Sequence, residues 1–236
     1  MRDNYKGKYT KIPIQTMGLR DLLLVPDRFF QEKSKDEEHL KSPVLLVGII
    51  GVLSAISAYF VTQVTVQTLL QALPSDAQGI AGIMVPFAII GGILGAYLLW
   101  LVATVVFFGL SALFHGTGSF RRTLEFIGYG FMPQIFGGLI SIYFMYEFAS
   151  TVTIPRITDP MEIAQAVQSL MANPNFMLAT IVGILFLLWS ANIWIFGLKY
   201  ARNLNTRQAA ISVIVPVTVY VLYSLSSTGV MGGLLS

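Results

Sequence analysis

The stretch MVPFAIIGGILGAYLLWLVATVVFFGLSAL, residues 84–113, holds no charged side chain in thirty positions. A bilayer core about 30 Å thick is crossed by roughly 20 apolar helical residues, so this run is long enough to span and to tilt. Pro86, Gly91, Gly92 and Gly95 mark where it can bend. Its apolar residues are continuous rather than alternating, which selects a helix over a barrel strand. Four more such runs lie near 44–70, 124–146, 176–198 and 209–231. The fold class that follows is all-α: a polytopic bundle of five transmembrane helices, spanning 43–236, behind an N-terminal arm of residues 1–42.

Composition agrees. The 236 residues are 55% hydrophobic and 11% charged, against about 25% charged in soluble domains. There is no cysteine, which excludes disulfides, thiolate metal sites and cysteine lipidation. The first 42 residues are polar, so no cleavable signal peptide is read and the first span must itself direct insertion.

The basic residues are sorted to one side. Of 15 Lys and Arg, nine precede the first span, two lie between spans two and three, and three lie between spans four and five. Only Arg156 falls in a connection on the other side. Basic short loops favour the cytoplasm, so the expectation is a cytoplasmic N-terminus and an outside C-terminus. A net charge of +3 distributed this way is an orientation signal and not a nucleic-acid footprint.

Two flanking segments carry local patterns. Residues 17–30, MGLRDLLLVPDRFF, mix Leu19, Leu22, Leu23, Phe29 and Phe30 with Arg20, Asp21, Asp27 and Arg28. They read as an amphipathic segment interrupted at Pro26, lying at the headgroup level. On the other side, TDPMEIAQAVQSLMANP reads as an outer surface helix. Asp159 caps it, Pro160 opens it, Glu162 completes a capping box, and Asn173-Pro174 ends it.

HGTGSFRRTLEFIGYGFMP, residues 115–133, and WIFGLKYARNLNTRQAAISVIVP, residues 194–216, resemble the YIP family (Yip-one-like, or Rab/Ypt-interacting, membrane proteins). The first matches its Gly-x-Gly-Ser-Phe loop and its Gly-Tyr-x-x-x-Pro helix, here Gly128, Tyr129 and Pro133. The second is similar to the family's exit from span four through a basic turn. Asp21-Leu22 with Pro26 is a looser likeness to the eukaryotic Asp-Leu-x-Gly-Pro motif, without its glycine. The resemblance implies a five-span bundle. Eukaryotic members bind prenylated Rab-type GTPases, and the Gly-Thr-Gly-Ser-Phe loop looks more like the prokaryotic branch. A prokaryotic plasma membrane is the location it implies.

The candidate residues follow from charge and depth. Leu22, Phe29 and Phe30 would anchor the arm, while Arg121, Arg122, Arg202 and Arg207 would engage lipid phosphates or a cytosolic protein partner. Glu125 lies just inside an apolar run and needs a partner, with Arg121 four residues earlier, Lys199 and Arg202 as candidates. Gln134 and Asn192 lie deeper, as interhelical glue or, with Glu125, as a polar seam. Gly116-Thr117-Gly118 reads as a turn before Ser119 as N-cap, with anion binding as its sharper alternative. Gly91-x-x-x-Gly95 permits close helix approach, within the bundle or in a homo-oligomer. His39 and His115 lack ligand partners at useful spacing, no Gly-x-Ser-x-Gly elbow exists, and no catalytic, cofactor or metal residues are assigned. The reading is a non-enzymatic scaffold or adaptor in contact with membrane lipids. The alternative is a small channel or transporter using the seam.

Overall fold

The computed structural model describes residues 18–72, 78–152, 170 and 172–227. The described residues form helices and no strands. Two short helices, α1 (Leu19–Leu24) and α2 (Pro26–Lys33), make the arm. Then come α3 (Lys41–Ala72), α4 (Gln78–Ala112), α5 (Phe120–Gly130), α6 (Met132–Thr151), α7 (Pro174–Ala201) and α8 (Thr206–Ser227). Among the described residues five spans are long and apolar enough to cross a membrane, the third being α5 and α6 together. This is an integral membrane protein.

The helix ends follow from capping. The Asp21 carboxylate accepts from Gly18 N at 3.0 Å to open α1, and Pro26 takes the first turn of α2. The hydroxyl of Ser119 accepts from Arg122 N at 2.9 Å, so the third span starts at Phe120 and not near 124. Asn173 Oδ1 accepts from Asn175 N at 2.9 Å, and Pro174 opens α7. The Asn-Pro pair read as a stop is therefore also the start of span four. The rest of the expected outer helix, Asp159, Pro160 and Glu162 included, lies outside the described residues. Leu170 is buried against Val64 and Phe148.

The third span is broken at Phe131. Pro133 has no N–H to give, and Phe131 N turns to Gly128 O at 3.2 Å. Ile127 O thereby loses its donor four residues on, and the Trp194 indole N–H of α7 supplies one at 2.8 Å. Trp100 of α4 donates likewise to Leu124 O at 2.9 Å. Two buried indoles thus grip α5 from neighbouring helices, each meeting its need for a partner at a backbone carbonyl.

The five spans close into a ring: α4 packs on α3, α3 on α6, α6 on α7, α7 on α8, and α8 returns to α4 through the thinnest of these contacts. α3 and α4 approach through Gly51 and Gly92, where an added Cβ on Gly92 would lie 2.7 Å from Ala55 Cα. A Cβ at Gly91 or Gly95, the pair expected to permit close helix approach within the bundle or in a homo-oligomer, would meet nothing within 4 Å. A cavity of about 780 Å³ lies inside the ring and touches all five spans. At one end of it Trp194 meets Phe107 (centroids 5.5 Å apart) and Phe131 (4.9 Å). That is the end where α5, the arm and the basic turns lie, called the basic end below.

Candidate functional site

At the basic end three cationic side chains knit together the arm and the two loops. Arg202 follows the last turn of α7 and is 4% exposed. Its Nε donates to Ser111 Oγ at 2.9 Å, and its two terminal nitrogens donate to Gly116 O and Gly118 O. The guanidinium stacks on Phe108, 4.0 Å from the ring centroid. Thr117 N returns a bond to Arg202 O at 2.9 Å, and Asn203 Nδ2 donates to Thr117 Oγ1 at 3.0 Å. Burial lowers the Arg202 pKa from its ordinary value. Gly118 has φ +118°, and a Cβ there would lie 2.3 Å from Ala201 O, so only glycine fits. The Gly-Thr-Gly turn therefore aims carbonyls at a cation. That is the opposite polarity from an anion cradle, and it fits the turn reading.

Arg122 forms the second tie. Nη1 donates to Glu125 Oε2 at 2.9 Å, Nη2 donates to Asp36 O, and Nε lies 3.9 Å from Glu38. It fastens the segment between α2 and α3 to the start of α5. Ser119 Oγ also donates to Glu38. Glu125 is fully buried, and its other oxygen, Oε1, has no hydrogen-bond partner. The expected partner Arg121 is exposed, and Arg202 is taken by the loop. Arg122, three residues before Glu125, faces the arm and reaches it.

Lys199 is the third. Its Nζ donates to Asp27 Oδ1 at 2.6 Å, which also accepts from Tyr200 Oη at 3.0 Å. The Lys199 hydrogen bond is the main cause that lowers the Asp27 pKa below 3.8. The sign is that of a depressed carboxylate: the pair stabilises the docked arm above the unfolded pKa, and that contribution is lost as pH falls through the folded value, below 3.8. Asp27 is half exposed, so the pair contributes only about 0–1 kcal/mol. The apolar contacts below hold the arm. A spin label on the exposed Leu24, made the chain's one cysteine, is expected to stay immobile in Asp27→Asn at neutral pH. A slight loosening below pH 3.8 is expected in the parent and absent in the variant. A freely mobile arm in Asp27→Asn would mean the ion pair dominates.

Three of the expected contact residues are inside the protein. Leu22 and Phe30 are fully buried and Phe29 is 6% exposed. Phe30 packs on Phe126, centroids 4.9 Å apart, and Phe29 on Tyr129 at 5.6 Å. Phe30 also fills the space over Gly197. These side chains dock the arm on α5 and α7 and do not reach lipid. The arm's outer face is instead Leu19, Leu24 and Val25, all about half exposed or more, which is the face that can enter an interface. Arg202 is likewise structural. Arg121 and Arg207 are exposed, with Phe120 37% exposed beside Arg121 in sequence.

The polar seam is not assembled. Glu125 closes on Arg122, Gln134 lines the cavity and donates weakly to Ser190 Oγ at 3.5 Å, and Asn192 is exposed on the outside of α7. The helix phase explains it: Ile193 and Trp194 take the inward side, which turns Asn192 out. Sequence reasoning missed Asp27, Trp100 and Trp194. A tryptophan inside an apolar span needs a hydrogen-bond acceptor, and that need was the available signal for two of them. Among the described residues no group of three His, Asp or Glu can hold a metal ion.

A five-span helical membrane protein with an arm folded onto its basic end is the class these features define. The Yip1 domain matches residues 20–228, and the chain belongs to that family. It is similar to an uncharacterized protein of Methanocaldococcus jannaschii, 38% identical over 136 residues that make up 56% of this chain and 94% of that protein. No solved structure matches.

Proposed function

We propose that the chain is a non-catalytic adaptor of a prokaryotic plasma membrane, with its basic end in the cytoplasm, its C-terminus outside, and a cytosolic protein as partner. Fourteen of the 15 Lys and Arg belong to the basic side, the arrangement that favours a cytoplasmic position. The observation that carries the reading is how the charges there are used. Arg202, Arg122 and Lys199 are spent on binding the arm and both loops into one plate. Arg121, Arg207 and Phe120 stand outward from that plate. A preorganised surface loses little conformational freedom on association, and a partly exposed aromatic next to an arginine in the chain suits protein recognition.

A photo-crosslinking residue at position 121 or 207 is expected to capture the same cytosolic protein in cells. Arg121→Glu should abolish capture from 207. A probe at the outward-facing Leu139, in the membrane, is the control. Adducts identical to those at Leu139, or no protein adduct from either arginine position, would sink the adaptor reading. The transport reading has less support, since Phe107, Phe131 and Trp194 close the basic end of the cavity and, of the three seam residues, Gln134 alone lines it. Ion flux in proteoliposomes, lost in Glu125→Gln, would reverse that preference.

A further inference from the structure

We propose that the cavity inside the ring is a binding site for one hydrocarbon chain of a bilayer lipid, which enters sideways between α4 and α8. Its volume, about 780 Å³, lies within the range of about 300–1,000 Å³ typical of small-molecule sites. Close-packed interiors do not leave voids of that size empty.

The lining decides what fills it. Among the described residues it holds no Asp, Glu, Lys or Arg. Several of its polar groups are already spent: Thr180 Oγ1 donates to Phe176 O at 3.0 Å, Ser141 Oγ to Ala179 O at 3.4 Å, and Gln134 to Ser190. Water occupies a cavity where it finds two to four free polar partners, and this wall is mainly apolar. An alkyl chain needs none.

The mouth decides where the chain comes from. Leu99 and Val102 of α4 and Tyr220 and Tyr223 of α8 line the cavity and are also 47–69% exposed at the bundle surface. The cavity therefore opens between these two helices, at the thinnest joint of the ring. All four residues lie within membrane spans, so the phase outside the mouth is the hydrocarbon of the bilayer. At the basic end the opening is closed. Phe107 and Phe131 pack on Trp194, whose indole is tied to Ile127 O. A chain can enter from the side and has no exit toward that end. The inference does not depend on the adaptor reading, and each can fail alone.

The test uses the full chain in phosphatidylcholine vesicles that contain a phosphatidylcholine with a diazirine at the end of one acyl chain. After illumination, mass spectrometry is expected to place adducts on inward residues such as Ser57, Gln134 and Thr180. Gly183 lines the cavity, and a Cβ built there meets nothing within 4 Å. Gly183→Leu should therefore fill the site without displacing a neighbour, and interior adducts should fall about tenfold or more. Ala103→Phe fills it from the opposite wall, so a misfolded first variant leaves a second. Melting temperatures equal to or above the parent's identify the folded ones. Labelling confined to outward residues such as Leu94, Leu185 and Leu188 would overturn the proposal. So would interior labelling that both fillings leave unchanged. A parallel arm with a diazirine fatty acid separates the sources: interior adducts from the free acid alone would assign a single-chain amphiphile and refute the lipid.

Discussion

An Arg202→Ala variant is expected to melt about 5–15 °C below the parent in detergent, followed by circular dichroism. The figure comes from about 2–4 kcal/mol of lost charge-assisted hydrogen bonds, at roughly 2–4 °C per kcal/mol for a chain of this length. Three acceptors lose their donor at once: Ser111 Oγ, Gly116 O and Gly118 O. Ser111 is fully buried, so water cannot replace the guanidinium there. The two glycine carbonyls sit on a more open loop and recover part of the loss from solvent, which keeps the estimate below the sum of three full bonds. The stacking on Phe108 goes as well.

Arg202→Lys separates charge from shape. An ammonium keeps the charge, but it is a compact point donor without a planar fork. It can reach one or two of the three acceptors and cannot lie flat on Phe108. Recovery of less than half the loss is expected. Full recovery would mean that charge alone holds the turn, and the geometric account of the Gly-Thr-Gly loop would fall. The same pair bears on the adaptor reading. If Arg202 acted only by touching a partner, Arg202→Ala would weaken capture from position 207 and leave melting untouched.

Legibility in the sequence tracked the type of interaction. Spans were readable because membrane solvation acts on each segment independently: thirty uncharged residues at 84–113 require a helix whatever its neighbours do. The Ser119 cap was readable for the same reason, being decided within a few residues. Side-chain destinations were not. Phe30 and Leu24 both sit in an amphipathic arm, yet one is fully buried and the other 63% exposed. The arm has two apolar faces, and only the position of α5 and α7 determines which one is covered. Glu125 had basic candidates within reach on the helix and across the loops, and the winner was set by where the segment before α3 returns. The family likeness was legible in loops because those loops are structural, as Gly118 and Arg202 show.

Gly130→Ala is expected to cost about 2–4 kcal/mol, a large effect for one added methyl group. A Cβ at Gly130 would lie 2.1 Å from Trp194 Cδ1 and 2.4 Å from Nε1. The indole must therefore move, and it has little freedom. Its N–H is bonded to Ile127 O, and its faces meet Phe107 and Phe131. Overpacking of this kind costs about 1–3 kcal/mol, and leaving the Ile127 carbonyl without its donor adds roughly 1 kcal/mol or more. The better helix propensity of alanine returns up to about 1 kcal/mol. Gly183→Ala supplies the control. It makes the same chemical change in a span where a Cβ meets nothing within 4 Å, so melting should be unchanged or slightly raised. Trp194 fluorescence gives a second readout, since displacing the indole opens the closed end of the cavity and alters its surroundings. If Gly130→Ala melts and fluoresces like the parent, Trp194 is not clamped against α5. The closure of the cavity at the basic end would then have to be sought elsewhere.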